Sequence, residues 1–193
     1  MNARRTRSKF YLPIDQGPFV KNHAGFWQRV AASALDYIIL LGYLLGLFLL
    51  SLLVNILFGA SQWLFADRIR AQAAGFLLIT LPVTLYFALS ESSSRQASWG
   101  KQWMKLKVAD PKGNRIRFGR SLGRTLLKFI PWELSHTLIW EIYFSPQTGA
   151  DWVNYGFVLV YLLIGLNMVS LGLTKTRQTV YDLVTNTYVL TSR

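Results

Sequence analysis

The sequence predicts an all-α polytopic membrane protein with about four transmembrane helices and a small cytoplasmic β-hairpin or three-stranded element. The longest charge-free stretch extends from Tyr37 to Ala66, well beyond the ~20 apolar residues that cross a bilayer core. Only 16% of the 193 residues are charged, against ~25% in soluble domains. With a cytoplasmic N-terminus, every Lys and Arg except Arg68 and Arg70 falls on a cytoplasmic segment, as the positive-inside rule requires.

The same composition excludes several classes of function. The net charge of +12 follows the positive-inside bias and is accompanied by no nucleic-acid-binding motif, so we expect no nucleic-acid partner. The chain has no cysteine, which excludes disulfides, thiol catalysis and thiolate metal sites. No phosphate loop, nucleophile elbow or zincin motif is present, so we expect no enzymatic activity and no cofactor. Glu133 and His136 have the spacing of a di-iron motif, but its further ligands are missing and we expect no metal.

Residues 1–24 are basic and polar and contain Pro13 and Pro18, which disfavour a long helix. We predict a cytoplasmic arm that contacts anionic headgroups, followed by a membrane domain over residues 25–193. Its spans are predicted at about 28–58, 71–90, 122–144 and 152–174.

Three of these spans contain notable residues. Gly42 and Gly46 form a GxxxG pair in the first span, which either receives another helix or is incidental. Pro82 should kink the second span. The third segment, 122–144, is interrupted at Pro131 and contains charged residues. It either crosses the bilayer facing a polar interior or lies in the interface as an amphipathic helix. An even number of crossings would keep both basic ends inside.

A β-hairpin is predicted at about 105–118, because two alternating polar and apolar runs flank the turn residues Asp110 to Asn114. The apolar side chains on its inner face would be Leu106, Val108, Ile116 and Phe118. An isolated hairpin is marginally stable, and residues 187–190 supply a candidate third strand. That pairing would bring the C-terminal tail to the membrane face where the first span begins.

Arg29 and Asp36 are the most informative charged residues, because they open the first span. Seven residues place them on one helical face, about 10.5 Å apart along the axis, so each needs a partner elsewhere. An ionisable residue at the lipid boundary costs ~2.5–3.5 kcal/mol on insertion scales, which makes Asp36 a candidate for function. The basic residues near its depth are Arg29, Arg124 and Lys128.

Several motifs resemble the RDD family of bacterial membrane proteins, named for one arginine and two aspartates. The resemblance lies in Arg29 and Asp36, and in Ser94–Ala97, Gly100–Lys101, Leu106–Val108, Phe118–Arg120 with Arg124, and Arg177–Asp182. It extends from about Gly25 to Leu190, and the second family aspartate corresponds to Asp182. The chain departs from the family pattern at Tyr181, where His is frequent, at Asn186, where Gly is frequent, and at Ser98-Trp99, where Thr-Pro is frequent.

The resemblance implies a small helical protein of the bacterial inner membrane, and for some members a transporter that exchanges cations and protons. We expect one hydrogen-bonded network of Arg29, Asp36 and Asp182, supported by Lys101, Arg124 and Lys128. Oxygen and nitrogen atoms for an ion or proton pathway could come from Glu133, His136, Glu141, Asn167 and Ser170. The alternative is a structural or accessory subunit, in which the charges only fasten helices together. The expected partners are the bilayer and either further copies of the chain or a membrane protein.

Overall fold

The computed structural model describes residues 22–146 and 150–192. Most of the predicted arm, residues 1–21, and part of the predicted outer loop 145–151 lie outside these residues. The chain forms α1 (Phe26–Phe58), α2 (Ala60–Leu64), α3 (Arg68–Gly75), a π-helical turn (Phe76–Thr80), α4 (Leu81–Ser92), α5 (Trp99–Trp103), β1 (Leu106–Ala109), α6 (Phe118–Phe144), α7 (Ala150–Leu173), α8 (Val180–Val184) and β2 (Tyr188–Thr191).

Within the described ranges, three helical stretches are long and apolar enough to cross a membrane. They are α1, the continuous run Arg68–Ser92 and α7, in agreement with the first, second and fourth predicted spans. The run Arg68–Ser92 consists of α3, the π-helical turn and α4, and the irregular turn ends just before Pro82. Because proline has no N–H for the preceding turn, a local change of helical hydrogen bonding is expected there.

The predicted interruption of the third segment at Pro131 is wrong, because α6 is one continuous helix. Membrane helices tolerate proline where hydroxyl side chains and neighbouring helices satisfy the freed backbone groups. Here the Ser135 hydroxyl adds a hydrogen bond to the Pro131 carbonyl oxygen at 2.7 Å, one turn beyond the Leu127 carbonyl that proline leaves without its helical donor. Along its length α6 packs against both α4 and α7. The contact with α7 is close, since a Cβ on Gly156 would lie 2.6 Å from Leu138 Cδ2.

The hairpin prediction is wrong in its second strand. Asp110 does form the predicted turn, and its side chain accepts from the N–H groups of Lys112 and Asn114 at 2.8 Å. The chain then runs without strand pairing to Arg117, the N-cap of α6. Phe118 therefore begins a helix and is 42% exposed, whereas Ile116 is buried as expected.

The C-terminal strand does pair with the predicted segment. β1 and β2 are antiparallel, with Val108 opposite Val189. The other edge of β2 is occupied by the residues before α1, since the Ala24 N–H donates to the Val189 carbonyl at 2.9 Å. Leu106, Val108 and Val189 form a small core against the start of α1, and this core fixes the tail beside that helix.

The C-terminal half of α1 has few partners among the described residues. A Cβ on Gly42 or Gly46 would meet no atom within 4 Å, so no helix of the described chain packs on this GxxxG pair. One contact is a hydrogen bond from the Tyr43 hydroxyl to the Leu78 carbonyl of the π-helical turn. The rest of the apolar surface faces outward, as in Leu45 and Leu49.

Candidate functional site

Asp36 is buried in the N-terminal third of α1, where its side chain forms hydrogen bonds with the N-terminal end of α5. Its carboxylate accepts from the Ser98 hydroxyl at 2.6 Å and from the Gly100 N–H at 2.8 Å. Lys101 Nζ is 3.9 Å away. Both carboxylate oxygens of Asp36 thus accept hydrogen bonds from the segment Ser98 to Lys101, which lies more than 60 residues further along the chain.

Gly100 allows this approach because it has no side chain. A Cβ at this position would lie 2.9 Å from the Asp36 carboxyl carbon and would overlap the Ala32 carbonyl oxygen. α1 and α5 can thus meet backbone to backbone only with glycine here. The Gly100-Lys101 pair therefore has two roles. Gly100 allows the close approach of the backbones, and Lys101 places a cation beside Asp36 and Glu91.

Arg29 lies on the same face of α1 but binds the C-terminal tail. Its Nη2 donates to Asp182 Oδ2 at 2.6 Å, and its Nη1 donates to the Arg177 carbonyl. Asp182 is the third residue of α8 and also caps that helix, accepting from the Thr179 hydroxyl at 2.8 Å. The short helix α8 thereby holds the Asp182 carboxylate in place.

Glu91 connects the contacts of Asp36 with those of Arg29 and Asp182. The sequence reasoning missed this residue. It is fully buried at the end of α4, where it accepts from Lys101 Nζ at 2.9 Å and pairs with Arg124. Arg124 Nε also donates to Asp182 Oδ1 at 2.7 Å. The available signal was that Glu91 is the lone acidic residue between Asp67 and Asp110, next to a strongly basic segment.

The result is one continuous chain of hydrogen bonds from Asp36 to Arg29. It passes through Ser98, since Lys101 Nζ also donates to the Ser98 hydroxyl at 3.2 Å. We call this set the charge network: Arg29, Asp36, Glu91, Ser98, Lys101, Arg124 and Asp182. It joins α1, α4, α5, α6 and α8 at the end of the bundle where α1 and α6 begin, which we call the basic end.

Electrostatics keep the Asp182 carboxylate ionised. Burial alone would raise the pKa of Asp182, but the guanidinium groups of Arg124 and Arg29 outweigh burial and hold this pKa below its ordinary value. Each carboxylate of the network has a cationic group within 4 Å. Removing either partner of such a buried pair is costly, because the remaining charge stays in a low-dielectric site.

Lys128 lies next to the charge network without joining it. Its Nζ sits 3.6 Å from the ring centroid of Phe87, in a cation–π contact. Over the described ranges, no carboxylate comes within 4 Å of this ammonium group. One turn of α6 separates Lys128 from Arg124, which corresponds to about 6 Å along the helix axis.

Glu133 forms a second polar cluster near the middle of the helices. Its two carboxylate oxygens accept from the Thr80 hydroxyl and, at 3.2 Å, from Gln72 Nε2. His136 Nδ1 is 3.8 Å from Glu133 Oε1, and Trp132 Nε1 donates to the Thr80 hydroxyl at 3.1 Å. In the described part of the chain, no Lys or Arg pairs with Glu133, which distinguishes it from every carboxylate of the charge network.

The remaining pathway candidates are dispersed. Glu141 pairs with Arg68 at the opposite end of the bundle. The Ser170 hydroxyl donates to the Gln178 carbonyl at 2.8 Å, where it fastens the end of α7 to the tail. Asn167 donates to the Leu163 carbonyl at 2.8 Å, while its Oδ1 is buried without a hydrogen-bond donor among the described residues.

A central cavity of about 760 Å³ lies between α1, α4, α6 and α7. Its polar lining includes Thr80, Ser135 and Asn167, and the cations at its basic end are Arg29, Lys101, Arg124 and Lys128. The rest of the wall is largely apolar. Over residues 22–146 and 150–192, no cluster of three or more His, Asp and Glu side chains could hold a metal ion.

Comparison with known proteins gives one kind of match. The family model of the RDD family aligns with residues 23–186. The matched range contains the whole charge network and the Glu133 cluster and stops before β2. No curated protein and no solved structure matches the chain.

Proposed function

Because this chain belongs to the RDD family and has three helices that could cross a membrane, we propose that it is a multi-pass protein of the bacterial inner membrane. Both termini lie in the cytoplasm and the basic end of the bundle faces that side. The distribution of Lys and Arg supports this orientation. It also puts the tail and the residues before α1, which pair in the structure, on the same membrane face.

We propose α6 as the fourth crossing. Its ion pairs and hydrogen bonds follow the run Arg68–Ser92 from end to end: Arg124 binds Glu91, Glu133 binds Thr80, and Glu141 binds Arg68. A helix in contact with both ends of a spanning helix extends over the same thickness. The interfacial alternative would place α6 across the ends of the spans instead.

Within this frame, the function that the geometry supports best is an ion pathway that uses a proton or a cation. The observation that carries it is the position of Glu133, whose partner Thr80 lies midway along Arg68–Ser92. A carboxylate at this depth with only neutral or titratable partners can take up a proton or a hard cation. The charge network lacks this capacity, because its carboxylates already neutralise buried cations. It instead fastens the helices at the basic end, and no enzymatic step is involved.

Flux into liposomes that contain only this protein tests the proposal. With an imposed pH gradient and a Na⁺ gradient, the wild type should change the internal pH as reported by a trapped dye. Glu133→Gln should abolish this flux in a folded protein. Asp151→Asn, at an exposed position at the start of α7, is the matched control and should keep it. Equal flux in Glu133→Gln and wild type would contradict the pathway.

The exposed C-terminal half of α1 favours a second candidate, an accessory subunit that binds a membrane partner or another copy of itself. Gly42 and Gly46 are open on a helix with few intramolecular contacts, and small residues of this kind allow close helix approach. Gly46→Leu should then disrupt co-purification or self-association, while Gly165→Leu, open on α7, should not. Absence of flux in the wild type together with this result would favour the accessory role.

A further inference from the structure

We propose that the central cavity binds an acidic phospholipid, with the lipid phosphate on Lys128 and the acyl chains against the apolar wall. The lipid phosphate would lie at Lys128 and not at Glu133, although Thr80, which donates to Glu133, also lines this cavity. Three features of the molecule support this assignment: an unbalanced charge, an apolar chamber of suitable size, and an opening toward the bilayer.

Among the cations that line the cavity at the basic end, one has no carboxylate partner in the described residues. Four cations line the cavity there, Arg29, Lys101, Arg124 and Lys128. The three carboxylates around them, those of Asp36, Glu91 and Asp182, are bound by the first three cations. Lys128 Nζ lies over the rings of Phe87 and Phe129, at 3.6 Å and 5.4 Å from their centroids, and no carboxylate of the described residues comes within 4 Å of it. An ammonium at membrane depth is costly unless it is paired, so the site is complementary to one negative charge.

The chamber beyond Lys128 suits a hydrocarbon chain. Its volume of about 760 Å³ falls in the range of ~300–1,000 Å³ that is typical of ligand sites. Leu40, Leu44, Val83 and Phe129 contribute to an apolar lining. No carboxylate of the described chain lines this cavity, so an anion meets no like charge on its wall.

The cavity also opens toward the surrounding lipid, between α1 and α7. Tyr37 and Leu41 of α1 line it and are 60% and 64% exposed. Met168 and Ile164 of α7 line the opposite edge and are 52% and 46% exposed. A lipid could therefore enter sideways from the leaflet at the basic end. A soluble phosphate would satisfy the ammonium but leave the apolar chamber unfilled, which is why we assign a lipid.

Native mass spectrometry of the full-length detergent-solubilised protein tests this site. The protein is incubated with dioleoyl phosphatidylglycerol, with dioleoyl phosphatidylcholine or with glycerol phosphate, and the retained molecules are counted. One phosphatidylglycerol should bind about tenfold more tightly than phosphatidylcholine, because both lipids offer a phosphate but only phosphatidylcholine brings a trimethylammonium cation close to Lys128, and this like-charge repulsion should favour phosphatidylglycerol by about that factor. Glycerol phosphate should not be retained. Equal retention of the two lipids, or retention of glycerol phosphate alone, would overturn the assignment to an acidic lipid.

Two variants locate the lipid in the cavity. Lys128→Gln should lose the preference for phosphatidylglycerol, while Lys112→Gln removes the same charge from an exposed turn and should keep it. Ala34→Phe, at an exposed α1 position that lines the cavity, should fill the chamber and reduce retention of the lipid without changing any charge. If Lys128→Gln fails to fold, Ala34→Phe decides the question. An unchanged preference for phosphatidylglycerol in folded Lys128→Gln would overturn the proposal. Unchanged retention of the lipid in folded Ala34→Phe would overturn it as well.

Discussion

The Arg29 guanidinium lies 2.6 Å from the Asp182 carboxylate, although 153 residues separate the two in the chain. Arg29 stands one turn inside α1, and Asp182 stands in a short helix just before the last strand. Their ion pair, together with the β1–β2 sheet, closes the chain on itself at the basic end of the bundle. Both side chains are buried, so neither can lose its partner without a penalty.

Arg29→Ala should therefore destabilise the protein by ~3–5 kcal/mol, the range for breaking a buried ion pair from one side. The measurement is thermal unfolding in detergent, followed by loss of the monodisperse peak. Arg120→Ala, at an exposed position of α6, removes an arginine with no network contact and should change stability little. Similar losses of thermal stability in the two variants would show that the Arg29–Asp182 ion pair does not stabilise the fold.

Gly100→Ala should destabilise the protein by ~1–3 kcal/mol, because the added methyl group overlaps the Ala32 carbonyl and crowds Asp36. Gly123→Ala is the matched control, since its Cβ would meet nothing within 4 Å in the second turn of α6. That change should be neutral or stabilising, as alanine favours a helix over glycine. Equal melting temperatures for the two variants would contradict the close approach of α1 and α5.

The sequence carried enough information to find Arg29, Asp36 and Asp182, with Lys101 and Arg124 as their supports, but not Glu91 between them. Arg29 and Asp36 stood out because their spacing puts two charges on one face of an apolar helix, and Asp182 followed from a family motif. Glu91 offered only the weaker signal of being the lone acidic residue between Asp67 and Asp110, because an exposed acid is ordinary where a span meets a polar segment. Its role depends on α5 and α6 meeting α4 in space, and no local pattern encodes that meeting.

Stability should fall at acidic pH through Asp182. Its pKa is held below the ordinary value of 3.8 by two guanidinium groups, so the ionised form stabilises the fold at higher pH. This contribution is fully present above about pH 4 and is lost as the pH falls further, toward the folded-state pKa. Melting temperatures measured from neutral pH down to about pH 3 should drop more steeply in the wild type than in Asp182→Asn. Parallel curves would contradict this assignment.

Val189→Ala should cost ~2 kcal/mol, from lost burial and the cavity left behind. Val189 is 2% exposed in β2 and packs on the small core beneath α1. Val184→Ala is the control, because Val184 is 68% exposed in α8 and its truncation removes little buried surface. Chemical or thermal unfolding of both variants in the same detergent makes the comparison, and a smaller loss for Val189→Ala than for Val184→Ala would exclude a structural role for β2.

The failed hairpin prediction has a local cause. Alternation of polar and apolar residues around Ile116 fits a strand, and the turn at Asp110 forms as expected. However, the edge of β1 that the second hairpin strand would use is already bound by Gln96, since the Val108 N–H donates to the Gln96 carbonyl at 2.7 Å and Gln96 Nε2 donates to the Val108 carbonyl at 3.1 Å. In addition, Arg117 is the N-cap of a long helix. Residues outside the hairpin therefore decided between strand and coil at a position where the local pattern allowed both.

Infrared difference spectroscopy of the protonated carboxyl band tests the ion pathway most directly, because it reports which carboxylate takes up a proton. In membranes titrated from alkaline to acidic pH, wild type and Asp151→Asn should gain a carbonyl stretch from a protonated acid at membrane depth. Glu133→Gln should lack that band, and Asp36→Asn, if folded, should retain it. A band that persists in Glu133→Gln and disappears in Asp36→Asn would contradict the assignment and return the titrating role to the charge network.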